Sequence, residues 1–246
     1  MHVHYEIAGT GPAILLTHGF RSSSHMFAAT VADLSDDHTT IAWDIRGHGK
    51  SGSLTDPADY SVAASLSDMV ALIDAAGAER ATLIGHSLGG YLSLDLTLGH
   101  PDRVEALVLV DTGPGFRNDE ARANWNAMAE RYAADLEERG LGGLPTDAEV
   151  DPAVHTSAHA LALAALGILR QSDGHVLEAL PSIAVPTLIV VGERDEPFHG
   201  ASQYMAAKIA GARLVTIAGA GHAPPVTHPA EFNAAVREFL AETVPR

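Results

Sequence analysis

The sequence contains no cysteine, which excludes disulfides, thiolate metal centres and a cysteine nucleophile together. Basic residues are scarce: 15 lysines and arginines stand against 31 acidic residues, a formal charge of −16, and the basic ones form no cluster. Such a surface repels phosphate backbones and anionic headgroups, so neither nucleic acid nor a membrane is an expected partner, and a small-molecule substrate is. No apolar run approaches the roughly 18 residues that a membrane helix needs. The opening Met1-His2-Val3-His4-Tyr5-Glu6 has neither a basic segment nor an apolar core of the signal-peptide kind, and a cytoplasmic location is expected. Disorder is excluded by composition, with 46% hydrophobic against 19% charged residues. The 246 residues suit one large domain, or a core with an insertion.

What is present is a strand–helix alternation. Val3–Ala8 reads as an edge strand. Ala13–Thr17 is a short apolar run between Gly11-Pro12 and His18-Gly19, as a strand buried on both faces should be. Further strands are expected at Thr39–Asp44, Ala81–Ile84, Val104–Val110, Thr187–Val191 and Leu214–Ile217. Helices are expected from Val62 to Gly77, over Leu88–Leu98, and at the end, where Phe232, Ala235, Val236, Phe239 and Leu240 share a face. From Thr112 to Pro181 the rhythm stops. Two alanine-rich helical stretches, Asp119–Arg139 and His155–Arg170, fill that interval around Gly140-Leu-Gly-Gly-Leu-Pro145. The fold class is therefore α/β, a doubly wound and mostly parallel sheet, with residues 1–111 and 182–246 as core and 112–181 as a helical cap.

Gly85-His86-Ser87-Leu88-Gly89 fits G-x-S-x-G, and it falls between an expected strand and an expected helix. That context implies a sharp turn with the serine at its apex, where a Cβ at either glycine would meet neighbouring backbone. Ser87 is thus the candidate nucleophile, beside a helix N-terminus whose free N–H groups favour negative charge.

A serine hydroxyl needs a base, and there are 14 histidines to choose from. Around such an elbow the chain order is serine, acid, histidine. His222, in the glycine-rich loop after the last strand, fits that order; His228, just before Pro229, reads as a cap or surface residue. The acid should end the preceding strand, which selects Asp195 over Glu193 and Glu196. Asp111, ending the Val104–Val110 strand, is the alternative. Its anionic charge would hold the imidazole tautomer and stabilise the imidazolium. Two amides are needed for the oxyanion, and Leu88 and Phe20 are placed to supply them. His18 reads as structural. Asp44-Ile-Arg-Gly-His-Gly-Lys-Ser51 lacks the spacing of a phosphate loop and reads as a brace for the site.

Taken in order, His18-Gly19-Phe20, Asp44–Ser51, Gly85–Gly90, Gly192–Asp195 and Gly221-His222 resemble the α/β-hydrolase superfamily. The resemblance implies an eight-stranded sheet, a helical cap after the sixth strand, no cofactor and no metal. Ser87 argues against the dehalogenases and epoxide hydrolases of this fold, which use an aspartate nucleophile. The insertion from Gly113 to Arg122 and on to Leu141, with Gly192–Phe198, is similar to the menaquinone-pathway 2-succinyl-6-hydroxy-2,4-cyclohexadiene-1-carboxylate synthase. That family carries an arginine four residues after its serine, where this sequence has Tyr91; Arg122 matches a second carboxylate-binding arginine. The expected activity is hydrolysis of a small carboxylic ester, lactone or related acyl compound. A carbon–oxygen lyase, a carbon–carbon bond hydrolase and a non-catalytic binding protein are the alternatives.

Overall fold

The structure is a computed structural model that describes residues 3–52, 54 and 56–243. Its strands are β1 (Tyr5–Ala8), β2 (Ala13–Thr17), β3 (Thr39–Trp43), β4 (Ala81–His86), β5 (Val104–Val110), β6 (Thr187–Gly192) and β7 (Arg213–Ile217). They form one sheet in the order β1-β3-β2-β4-β5-β6-β7, in which only β1 runs antiparallel. The sheet has seven strands among the described residues, not the eight that the resemblance implied. Among the described residues a single strand precedes Ala13, and it pairs directly with β3. Each of the seven strands overlaps one of the seven strand segments expected from residue pattern, with ends that differ by up to two residues.

The helices, in chain order, are α1 (Ala28–Leu34), α2 (Val62–Ala75), α3 (Leu88–Gly99), α4 (Asp119–Arg139), α5 (Ala158–Ala164), α6 (His175–Ala179), α7 (Glu196–Lys208), α8 (Pro224–Thr227) and α9 (Pro229–Thr243). Side chains alternate across the central strands, so the sheet builds two cores. Ile14, Leu16, Ile84, Val108 and Val190 pack on one face with Phe27 and Leu34, and with Phe232, Val236 and Phe239 of α9. Leu15, Leu83, Leu107, Leu109 and Ile189 face the other way, against Met69, Leu72 and Ile73 of α2 and Leu92 of α3. Burying each such side chain contributes about 1.5–3 kcal/mol before entropy is counted. Thr30 of α1 donates to Asn233 of α9 at 2.9 Å, a polar link between two otherwise apolar helices.

Between β5 and β6 the described residues form helices and turns but no strand. Helix α4 has the bounds expected from sequence, and Asn118 caps it by accepting the Glu120 and Ala121 N–H groups. The second expected helix, His155–Arg170, is shorter. His155 is held outside it by two hydrogen bonds, accepting from Gly49 N–H at 3.0 Å and donating to Arg21 O at 2.8 Å. Ser157 then caps α5 at Ala160 N–H, and Ala165–Leu169 widen into a π turn. Trp125 of α4 donates its indole N–H to Leu169 O at 2.9 Å and ties that turn to α4.

Candidate active site

The parallel strands β2, β4, β5 and β6 all point their carboxyl ends at one edge, and that edge gathers the candidate residues. Ser87 follows β4 directly, with φ 50° and ψ −114°. A non-glycine residue in that region is strained, and the surroundings hold it there. Ser87 N–H donates to Val110 O at 2.9 Å, and Thr112 Oγ1 donates to Ser87 O at 2.6 Å. The two glycines of the motif are required by close approach. A Cβ on Gly85 would stand 2.4 Å from Gly89 O, and one on Gly89 would stand 2.1 Å from Thr17 O. The second contact also shows that the start of α3 abuts the loop after β2. Leu88 and Phe20 thus lie on neighbouring segments at the same edge.

His222 lies in the loop after β7. Its Nδ1–H donates to Asp195 Oδ2 at 2.7 Å, which leaves Nε2 as the free ring nitrogen. Its ring stacks on Phe198 at 4.8 Å between centroids and tilts against His86 at the same distance. Burial opposes charge on His222, but Asp195 and the nearby Glu149 outweigh it and raise its pKa. Burial likewise opposes charge on Asp195, yet hydrogen bonds from His222 and Asp111 hold its carboxyl below the usual range.

Asp111, the alternative acid, does not reach the imidazole. It accepts Gly192 N–H at 2.9 Å, is fully buried, and sits at φ 44° beside Asp195. Burial first, and then Asp195, push its pKa up to about 9. Two buried carboxyls in contact cannot both be charged. Asp111 is therefore the neutral one and donates to Asp195.

The remaining sequence candidates separate. Tyr91 and Leu88 line a cavity of about 260 Å³ together with Ser87, Phe116, Trp125, Leu169 and Phe198. Arg122 is not on that wall. Its guanidinium donates to Phe116 O at 3.1 Å and pairs with Asp119 one helical turn back. His18 is structural, as expected: it donates to Gly19 O at 2.7 Å and accepts Ile45 N–H at 2.9 Å. Burial lowers its pKa to about 4, so it stays neutral. Asp44 accepts Ser24 and Lys50 N–H groups and braces the turn that it begins. Sequence reasoning missed Glu149 and Phe198. Glu149 lies in no periodic or motif-bearing stretch, Phe198 only ends the Gly192–Phe198 stretch without a role of its own there, and the fold brings both to His222.

A profile of the alpha/beta hydrolase family matches residues 14–235. This chain belongs to that family. The hydrolase is 30% identical over 262 residues to the pimeloyl-[acyl-carrier protein] methyl ester esterase of Xylella fastidiosa, covering 97% of this chain and 99% of that protein. It is 28% identical to a Bacillus subtilis protein provisionally named 2-succinyl-6-hydroxy-2,4-cyclohexadiene-1-carboxylate synthase, over 97% of this chain and 95% of that one. Among solved structures, it resembles a thermophilic esterase from Thermogutta terrifontis with a TM-score of 0.84 and 27% identity, over 99% of this chain and 94% of the other. The hydrolase is an enzyme, and no helix among its described residues is long and apolar enough to cross a membrane.

Proposed function

We propose that the protein hydrolyses a small, uncharged carboxylic ester, lactone or related acyl compound through Ser87, His222 and Asp195. Ser87 Oγ attacks the carbonyl carbon while His222 Nε2 takes its proton. The Leu88 and Phe20 amides hold the oxyanion, and Asp195 fixes the tautomer and stabilises the imidazolium. The imidazolium then protonates the leaving alcohol. A water deprotonated by His222 attacks the acyl-enzyme, and the acid leaves. The observation that carries this reading is the His222–Asp195 hydrogen bond at the strand edge where Ser87 lines a cavity. The helices between β5 and β6 act in it as a cap, since Phe116, Trp125 and Leu169 come from that segment and line the same cavity. Among the described residues no lysine or arginine lines the cavity, which favours an uncharged acyl group.

The test is a screen of p-nitrophenyl esters by chain length beside lactones, together with fluorophosphonate labelling. Labelling that survives Ser87→Ala would reject the nucleophile. A second reading, a carbon–oxygen lyase, is favoured by the Bacillus subtilis relative. Tyr91 and the paired Arg122 offer its carboxylated substrate no free cation at the cavity. Pyruvate release from that synthase's substrate would establish the lyase instead.

A further inference from the structure

His222 also belongs to a second constellation, one that acyl transfer does not require. One ligating atom from each of His86, Glu149 and His222 lies within 4.8 Å of the other two. His86 is fully buried and donates Nε2–H to the His222 carbonyl at 2.6 Å. Its Nδ1 therefore carries a lone pair. That atom has no hydrogen-bond partner among the described residues, and it faces Glu149 Oε1 at 3.9 Å. His222 has the same arrangement in mirror order, with Nδ1–H on Asp195 and Nε2 free. An imidazole whose far N–H is held by a carbonyl or a carboxylate is how proteins orient a metal-ligating histidine. Both histidines here are oriented in that way, by different partners.

The space between the ligands is also kept open. A Cβ on Gly19 would stand 2.7 Å from His86 Nδ1 and 3.0 Å from Glu149 Oε1, so any other residue there would fill the gap. Two imidazoles and one carboxylate suit zinc and its neighbours better than magnesium or calcium. Ligand atoms around a tetrahedral ion with bonds of about 2.1 Å stand about 3.4 Å apart, so from separations within 4.8 Å the three must draw in by up to about 1.4 Å. Glu149 is the arm free to do so, since it follows a turn in which its N–H is held by Asp147 at 2.8 Å while its carboxylate makes no hydrogen bond among the described residues.

We infer that His86 Nδ1, Glu149 and His222 Nε2 form a site for a zinc-like divalent transition-metal ion, and that an ion bound there switches the enzyme off. The ion would occupy the lone pair that accepts the Ser87 proton, so metal binding and hydrolysis exclude each other. The inhibition rests on His222 being the base; the binding does not.

The experiment titrates chelator-treated, full-length protein with Co²⁺ and follows its visible d–d bands, then repeats the titration with Zn²⁺ as competitor. Intense bands of tetrahedral cobalt are expected in wild type and in Ser87→Ala, displaced by Zn²⁺. They should be lost in His86→Gln and in Glu149→Gln; the second variant carries the test if the first fails to fold. In parallel, Zn²⁺ should block fluorophosphonate labelling of Ser87, with an inhibition constant at least about tenfold weaker in Glu149→Gln. Absence of the bands in wild type, or their persistence in Glu149→Gln, overturns the site. Bands that form while labelling continues overturn His222 as the shared ligand. A protein that binds Co²⁺ as expected but labels nowhere leaves the metal site standing and rejects the hydrolase chemistry at Ser87.

Discussion

Ser87 and Asp111 both take left-handed backbone angles, and both immediately follow central strands. Their roles nevertheless differ, because only one of them reaches the cleft. Ser87→Ala should lower turnover by up to about 10⁶-fold with the fold intact. A variant that keeps a tenth of wild-type activity on a purified ester would end the nucleophile assignment. Asp195→Asn should cost about 10⁴-fold, because the imidazole loses its orienting anion. Asp111→Asn should cost far less, since asparagine can accept from Gly192 N–H and donate to Asp195 as the neutral acid does. Rates of the two variants on one ester decide the matter, and a reversed order would place the acid on β5. The strained turn at Ser87 and the pairing of His222 with Asp195 were legible because glycine spacing and chain order constrain them. Asp111 was legible only as a candidate. Whether a buried carboxyl is charged depends on the neighbour the fold gives it, and Asp195 lies far away in sequence.

At the scale of elements, the strands were readable because each central strand is buried on both faces and so is a bare apolar run. The helices of the insertion were harder to place. Helix α4 ran true because Asn118 caps it, whereas α5 starts late because His155 is drawn to Gly49 and Arg21, a contact no periodicity announces. Arg122 illustrates the same limit. Its position in α4 suggested a carboxylate anchor, but the guanidinium is occupied by Asp119 and Phe116 O. Arg122→Ala should therefore change kcat/KM for a neutral ester by no more than about 0.5 kcal/mol in transition-state terms. Against a matched carboxylated ester the change should be equally small, and a large loss confined to that ester would favour the lyase. Between α1 and α9, Asn233→Leu should destabilise the protein by about 1–3 kcal/mol, because buried Thr30 loses its acceptor. Denaturant midpoints of the two proteins measure it.

For the whole molecule, the neutral Asp111 makes a pH signature. An acid whose pKa is raised on folding binds more protons folded than unfolded across the interval between its two pKa values. Stability from this group is thus fully present below the ordinary carboxylate range and is lost as pH rises to about 9. The slope is at most about 1.4 kcal/mol per pH unit for one proton. Asp111→Asn removes it, so the variant's melting temperature should gain on wild type between pH 5 and pH 8.5. Parallel curves would mean that Asp111 is charged in the folded protein. Groups pulled the other way, such as Asp37 and Asp173, whose histidine partners lower their pKa, withdraw stability as pH falls and are untouched by the substitution.

The helices around Trp125 leave the sheet after β5 and return at β6, and those two strands are direct neighbours, paired from Leu107 with Thr187 to Val110 with Val190. The chain therefore departs and comes back within one strand spacing, whatever it does in between. Closing a loop whose ends are already fixed side by side depends only weakly on its length, about 0.6 kcal/mol for each doubling. The core on the α9 face, the elbow and the His222 loop lie outside that excursion, whereas the core on the α2 face takes Ala129, Leu136, Leu161 and Ile168 from it. Evolution, or a protein engineer, can therefore exchange the excursion for one of another length and change what the cavity admits, provided that the replacement refills the core on the α2 face. One hydrolytic scaffold can in this way diversify its diet while the ends of the exchanged segment stay fixed side by side.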